Sequence, residues 1–266
     1  MSKYNKILTL SSEYLRKRYN SKQTQNCYLR EIELFLNFYN KETHQLNEND
    51  LNIYLDNYKD SSRSKQNQVI ASLKCLYLDI LGRKNWKYKF VRAKRIEYLP
   101  TLLSKQEILN IISKIDNLKH KTIISLLYGC GLRRQEVINL KLEDILGKQF
   151  QIKIVQSKGN KDRFIPISEN ILNLLKQYYL EYKPKVYLFE GQNKEQYSGG
   201  SIEKIVKKWF GNKFHPHLLR HCYGTHLYEN KVELDKIRKL MGHKDLKSTQ
   251  IYTKLANNLQ DIPQLI

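Results

Sequence analysis

Residues 215–252 read HPHLLRHCYGTHLYENKVELDKIRKLMGHKDLKSTQIY. Apolar residues recur at helical spacing over 217–228 and again over 234–241. Gly242 follows the second of these helices as a C-terminal cap, which leaves His243 on a turn outside it. Ser248 or Thr249 can cap a third helix, 248 to about 259, with Tyr252 in its first turns. On the first helix His217 and Arg220 lie three apart and share a face, so both can approach one phosphate. An arginine offers a planar fork of donors to two phosphate oxygens, a histidine moves protons near neutral pH, and a tyrosine hydroxyl can attack phosphorus. Together these side chains can cut a phosphodiester without a metal.

Composition points to the same class of partner. The chain carries 47 Lys and Arg against 26 Asp and Glu, a formal charge of +21 and a pI near 9.7, so a polyanion is expected to bind it. The basic residues are spread through periodic apolar segments instead of gathering in one tail, which favours a globular nucleic-acid-binding protein over a charged tether. At 266 residues and 41% hydrophobic content the chain can bury two modest cores or one large one, and two domains are expected. No stretch approaches the roughly 18 apolar residues of a membrane span, and the start lacks a signal-peptide apolar region, so no membrane partner and a cytoplasmic location are expected. Cys27, Cys75, Cys130 and Cys222 are scattered, without a CxxC pair, and read as reduced core residues.

Working outward to the N-terminus, helices are expected over 7–19, 24–39, 50–58 and 64–81, with Tyr28, Ile32, Phe35, Leu36 and Tyr39 on one face of the second. Gly82 can end the last of them, and Pro100 marks a break. The expected organisation is a helical DNA-binding domain at 1–90, a linker at 91–102 and a catalytic domain at 103–266. In the second domain, Ser104 with Glu107 forms a capping-box pattern, and an apolar helical run follows over 121–128. Gly129 and Gly131 interrupt that run, placing Arg133 just before a helix at 134–140. Alternation over 149–155 puts Phe150, Ile152 and Ile154 on one strand face, and 163–167 resumes it with Phe164. Between the strands, 157–162 (SKGNKD) reads as a turn carrying two lysines. Further helices are expected at 169–182 and 201–210. The fold class is mainly α, with one small antiparallel sheet in a mostly helical second domain.

The boxes in this order resemble the tyrosine recombinase, or phage integrase, family, and its short Xer-like branch in particular. Gly131-Leu132-Arg133-Arg134-Gln135-Glu136 resembles the family's first arginine box. Ser157-Lys158-Gly159-Asn160-Lys161-Asp162-Arg163 resembles its lysine hairpin. His217-Leu218-Leu219-Arg220-His221 resembles its HxxRH box, Leu240-Met241-Gly242-His243 its LxGH box, and Ser248-Thr249-Gln250-Ile251-Tyr252-Thr253 its nucleophile box. The first domain resembles, more loosely, the family's SAM-like core-binding domain. The resemblance implies that Tyr252 attacks the scissile phosphate to leave a 3′-phosphotyrosyl link and a free 5′-hydroxyl. It implies that Arg133 and Arg220 hold the non-bridging oxygens, that Lys158 protonates the leaving group, and that His217 assists proton transfer at Tyr252. His243 donates to the phosphate, and Glu136 supports the arginine site. It further implies no cofactor and no metal, double-stranded DNA with an inverted-repeat core site as partner, and a homotetramer on two sites, or a heterotetramer with a second recombinase, acting through a Holliday junction. A C-terminal tail, 255–266, docks on a neighbouring subunit in that picture. Gln135, Ser157 and Lys254 depart from the usual pattern, none at a catalytic position.

Plainer readings exist for each residue. Arg133 could be an ion-pair partner of Glu136, Lys158 or Lys161 a solvated turn lysine, and Tyr252 one packing residue among 19 tyrosines. His215, His217, His221, Cys222 and His226 invite a zinc reading, but no CxxC or HExxH accompanies them. His221 and His226 read instead as core residues satisfied by hydrogen bonds. The alternatives to a recombinase are a type IB topoisomerase-like relaxase and a catalytically silent DNA-binding accessory protein. Chromosome dimer resolution (a partition role) and mobile-element integration or resolution are equally compatible with the boxes.

Overall fold

The computed structural model describes residues 4–83, 102–155, 162–192 and 196–256. Lys158, nearly all of the expected linker, and the tail from 257 onward lie outside the described residues. Contacts divide the chain into two compact units, Met1–Tyr98 and Leu99–Ile266.

The first unit is built from α1 (Asn5–Arg18), α2 (Lys22–Tyr39), α3 (Glu48–Asp56) and α4 (Arg63–Lys74), the last running into a π-helical turn, Cys75–Ile80. Ile32, Phe35 and Leu36 of α2, Leu51, Tyr54 and Leu55 of α3, and Val69, Ile70 and Leu73 of α4 are buried at helical spacing and form one core. The helix expected over 64–81 is therefore two kinds of helix. Its wider end turns three consecutive residues, Cys75, Leu76 and Tyr77, inward. Phe35 meets Tyr54 edge to face at 5.0 Å. Ser21, Asn47 and Ser62 accept hydrogen bonds from the first turns of α2, α3 and α4, each worth about 1 kcal/mol.

The second unit contains α5 (Lys105–Ser113), α6 (Leu118–Gly129), α7 (Arg134–Asn139), β1 (Ile145–Leu146), β2 (Gln151–Ile154), β3 (Arg163–Pro166), α8 (Glu169–Tyr182), α9 (Gly199–Phe210), α10 (Pro216–Glu229), α11 (Leu234–Met241) and α12 (Ile251–Ala256). The expected capping box opens α5: the Glu107 N–H donates to Ser104 Oγ and the Ser104 N–H to Glu107 Oε2. Every residue from Thr122 to Tyr128 of α6 is buried, so this helix is the axis on which α8, α9 and α10 pack.

The sheet is antiparallel in the order β1-β2-β3. Alternation predicts two strands; β1, only two residues long, is below what periodicity can register. The inward face also differs. Ile152 and Ile154 are buried, but Phe150 is 45% exposed at a left-handed turn (φ 52°) ahead of β2. On β3 the inward residues are Arg163 and Ile165, with Ile167 buried just beyond the strand, while Phe164 is 51% exposed. The register pairs Ile154 with Arg163, so an arginine occupies the core-facing position where the apolar Phe164 was expected. The four cysteines are free, with Cys75, Cys130 and Cys222 buried and Cys27 half-buried. Among the described residues no helix is long and apolar enough to cross a membrane.

Candidate active site

The site is organised by the C-terminal end of α11. Gly242 adopts the left-handed conformation (φ 59°) that ends the helix, as its type predicts, and the last carbonyls are left without helical partners. Three arginines take them in turn. Arg163 Nε donates to the Leu240 carbonyl at 3.0 Å, Arg220 Nη2 to the Met241 carbonyl, and Arg133 Nη2 to the Gly242 carbonyl at 2.9 Å. The negative end of the helix dipole thus faces three guanidinium groups that arrive from β3, α10 and the N-terminal edge of α7.

Glu136 is the carboxylate they share. Its two oxygens accept a bidentate pair from Arg163 at 2.9 and 2.8 Å, and Oε1 also accepts from Arg133 Nη1 at 2.7 Å. The Arg133 backbone N–H donates to Oε2 at 2.8 Å, and Arg220 Nη1 lies 3.9 Å from the same oxygen. Burial works against ionisation of Glu136, but the hydrogen bonds and charge of Arg163, then Arg133, hold its pKa at about 2. Arg220 is 2% exposed and also donates to the Gly131 carbonyl. Burial first, then the neighbouring Arg133, lowers its pKa to about 10. Arg133 is the most open of the three, its side chain 34% exposed. It borders an open groove of 470 Å³ lined by Glu136, Asn139, Lys153, Val155 and Gln196 among others.

Tyr252, in the first turn of α12, is 1% exposed. Its ring lies against α10 at Gly224, where a Cβ would come within 2.5 Å of the ring carbon Cζ; only glycine permits this approach. The His243 ring lies nearly parallel to it, 18° off with centroids 6.0 Å apart, and His221 packs at 6.0 Å on another side. Burial pushes the Tyr252 phenol up to about 12, while the charges of Arg220 and Arg133 pull the other way. Burial, then the charge of Arg220, brings His243 down to about 4, and burial, then His217, brings His221 down to about 4. His217 opens to solvent at the start of α10. Desolvation of its ring, then Arg220 and Arg133, lowers its pKa as well. His221 and His243 are therefore neutral near pH 7, fit to accept a proton or to donate one N–H.

The structure thus brings Arg133, Glu136, Arg220, His243 and Tyr252 together, with His217 beside them through His221 (ring centroids 5.7 Å apart). Arg163 is the residue that motif reading missed. It lay in the lysine-hairpin box, but its partners are 27 and 77 positions away, and only its inward placement on β3 reveals them. Neither Ser248 nor Thr249 caps α12 as expected. Ser248 hydrogen-bonds Asp245 through backbone and hydroxyl, and the buried Thr249 hydroxyl faces His243 Nδ1 at 2.9 Å. His226 meets the core expectation by pairing with the Tyr128 hydroxyl at 2.9 Å. His221 departs from it, because its Nδ1 finds no hydrogen-bond partner among the described residues. Among those residues no group of three or more His, Cys, Asp or Glu side chains could hold a metal ion.

Known proteins align with both units. The phage integrase family matches residues 101–258, and the N-terminal SAM-like domain of phage integrases matches residues 7–86. The chain is 37% identical over 197 residues to tyrosine recombinase XerA of Pyrococcus horikoshii, covering 71% of this chain and 69% of that protein. It is 29% identical over 275 residues to a tyrosine recombinase of Thermosipho africanus, covering 95% and 96%. A crystal structure of XerA recombinase superposes with a TM-score of 0.56 at 26% identity, covering 95% of each chain. A lambda integrase dimer bound to a COC′ core site superposes with a TM-score of 0.74 at 17% identity, covering 98% of each, a likeness of fold alone.

Proposed function

The chain belongs to the phage integrase family and is a tyrosine-type site-specific recombinase, and we propose that its cleavage centre is Tyr252 with Arg133, Arg220, Lys158, His217 and His243. The observation that carries this reading is the pair Arg133 and Arg220, anchored on consecutive carbonyls and close enough for their charges to act on the Tyr252 phenol.

A phosphodiester entering beside Arg133 supplies the anion that Glu136 alone does not balance. The two guanidinium groups hold its non-bridging oxygens and stabilise the extra charge of the five-coordinate transition state. Tyr252 Oη bonds to phosphorus as the bond to the 5′-oxygen breaks. The phenol proton passes to neutral His217, and Lys158 supplies a proton to the departing 5′-oxygen. The resulting 3′-phosphotyrosyl link keeps the bond energy for religation, so no cofactor is required. His243 donates to the phosphate, and Glu136 supports the arginine pair. In this reading residues 1–90 and 103–266, joined at 91–102, both engage duplex DNA carrying an inverted-repeat core site. Four protomers, all alike or paired with a second recombinase, exchange strands through a Holliday junction in the cytoplasm, resolving chromosome dimers or moving an element.

The test is to incubate wild type and Tyr252→Phe with sheared genomic DNA, trap covalent adducts in detergent and sequence the attached fragments. Adducts that require Tyr252 and concentrate on one short inverted repeat are expected, and the repeat's location separates chromosome maintenance from element mobility. Adducts spread over all sequences would replace this reading with topoisomerase-like relaxation, and equal adducts from Tyr252→Phe would remove Tyr252 as the nucleophile.

A further inference from the structure

We infer that Thr249 is a positioning residue for the cleavage reaction: its hydroxyl donates to His243 Nδ1 and thereby fixes the tautomer in which Nε2 carries the proton. The inference rests on the assignment of His243 to the scissile phosphate.

Thr249 is fully buried, and its Oγ1 lies 2.9 Å from His243 Nδ1. A neutral imidazole has one N–H, and a hydrogen bond at one nitrogen decides where it sits. Were Nδ1 the protonated nitrogen, Thr249 Oγ1 would accept and Nε2 would carry a lone pair, which repels a phosphate oxygen. With Thr249 donating, Nδ1 accepts and Nε2 is left as a donor. Only the second arrangement serves an anion held by Arg133 and Arg220. The ring is constrained on its face as well, since it stacks on Tyr252. The low pKa of His243 excludes the doubly protonated ring near pH 7, so the choice between tautomers is a real one.

Backbone geometry ties this choice to the nucleophile. The Thr249 N–H donates to the Leu246 carbonyl at 2.8 Å and the Tyr252 N–H to the Thr249 carbonyl at 3.0 Å. One residue thus holds His243 by its side chain and the start of the Tyr252 helix by its main chain. A buried threonine that served packing alone would tolerate valine, which keeps the β-branched shape and carries a methyl where the hydroxyl was; a tautomer-setting threonine could be exchanged only for serine.

The experiment has two readings. Long-range nitrogen–proton spectra of the histidine-labelled full chain, assigned with a His243→Gln control, report the tautomer without DNA. Wild type and Thr249→Ser are expected to show Nε2–H at His243, and Thr249→Val a mixture or the other tautomer. Single-turnover adduct formation on a nicked core site is expected to fall about 10- to 100-fold in Thr249→Val and to return to within a few-fold of wild type in Thr249→Ser, with DNA affinity unchanged. An Nδ1–H tautomer in wild type, or Thr249→Val matching wild type in cleavage, overturns the inference. If wild type forms no adduct on the nicked core site, the functional reading fails separately, and the spectra still decide the tautomer. Should Thr249→Val not fold, the wild-type spectrum and Thr249→Ser carry the decision.

Discussion

The two units partner their acidic side chains in opposite ways. In the N-terminal unit each buried acid meets a single cation. Glu31 bridges α2 and α4 by accepting from Lys65 at 2.5 Å, with Gln68 adding a neutral hydrogen bond at 3.1 Å. Asp50 accepts from Lys41 at 3.0 Å and from the Asn47 N–H at 2.9 Å. In the catalytic unit one acid, Glu136, serves Arg163 and Arg133 directly and has Arg220 at 3.9 Å. In the first arrangement each carboxylate meets one ammonium, and Glu31 Oε2 has no hydrogen-bond partner among the described residues. The second leaves positive charge unmatched, held in place by carbonyl dipoles at the end of α11 that orient the guanidinium groups without neutralising them. Balanced pairs tie helices together, whereas the unbalanced cluster keeps net positive charge, which suits the phosphate of the proposed cleavage reaction.

Removing the acids is the strongest way to break this contrast. Glu136→Ala strands three guanidinium groups around one cavity, and a loss of about 3–5 kcal/mol is expected for the catalytic unit. Glu31→Ala strands one ammonium whose side chain is already 36% exposed and can turn to water, so about 1–2 kcal/mol is expected for the N-terminal unit. Hydrogen exchange read separately over the two units checks both values; equal losses would show that the number of cations per acid does not matter.

A milder change sharpens the same point. Arg163→Lys keeps the charge beside Glu136 but cannot make the bidentate pair and also reach the Leu240 carbonyl. A loss of about 2 kcal/mol is expected, since two hydrogen bonds to charged or helix-end groups go. Adduct formation on a core site should fall by about 10-fold as Glu136 draws Arg133 away from the groove. If adduct formation is unchanged, Arg163 contributes stability only.

The smallest expected effect is a difference in acid response. His221 and His243 are held near 4, below their ordinary 6.5. Between those values the unfolded chain binds more protons than the folded one, so the catalytic unit loses stability as pH falls from about 6.5 towards 4. Glu136, held near 2, adds a further loss from its ordinary 4.5 downward. In the N-terminal unit the depressed acid is Asp50, whose window lies below that of the histidines. Hydrogen exchange at pH 7 and pH 5 should therefore separate the units; identical changes in both would contradict the histidine assignment.

Most helices of both units were legible because helical spacing is local, and short motifs marked Arg133, Glu136, Arg220, His243 and Tyr252 as candidates. Ile32, Phe35 and Leu36 announce a face, and Gly242 announces a helix end. Arg163 was not legible for the opposite reason. A strand of four residues offers two faces, and Phe164 made the wrong one look apolar; the bonds from Arg163 to Glu136 and Leu240 that decide the matter are long-range. The sequence offers Ser248 or Thr249 as a cap because such residues before a helix usually are, and nothing within a few residues signals that the Thr249 hydroxyl is turned to an imidazole. The π-helical turn at Cys75–Ile80 was hidden in the same way, since its inward run of Cys75, Leu76 and Tyr77 keeps an apolar pattern that a longer α-helix would also show.

The close seat of Tyr252 on Gly224 carries a kinetic consequence. A hydroxyl on a side chain that is 1% exposed cannot meet phosphorus, so if Tyr252 is the nucleophile, as proposed, cleavage requires a conformer in which its side chain has left that seat. The fraction in that form multiplies the chemical rate. A seat worth about 2.7 kcal/mol holds the fraction near one in a hundred. Anything that grips α12 more tightly when it is out than when it is in, whether DNA or another protomer, then governs the rate by up to about 100-fold without touching a reacting atom.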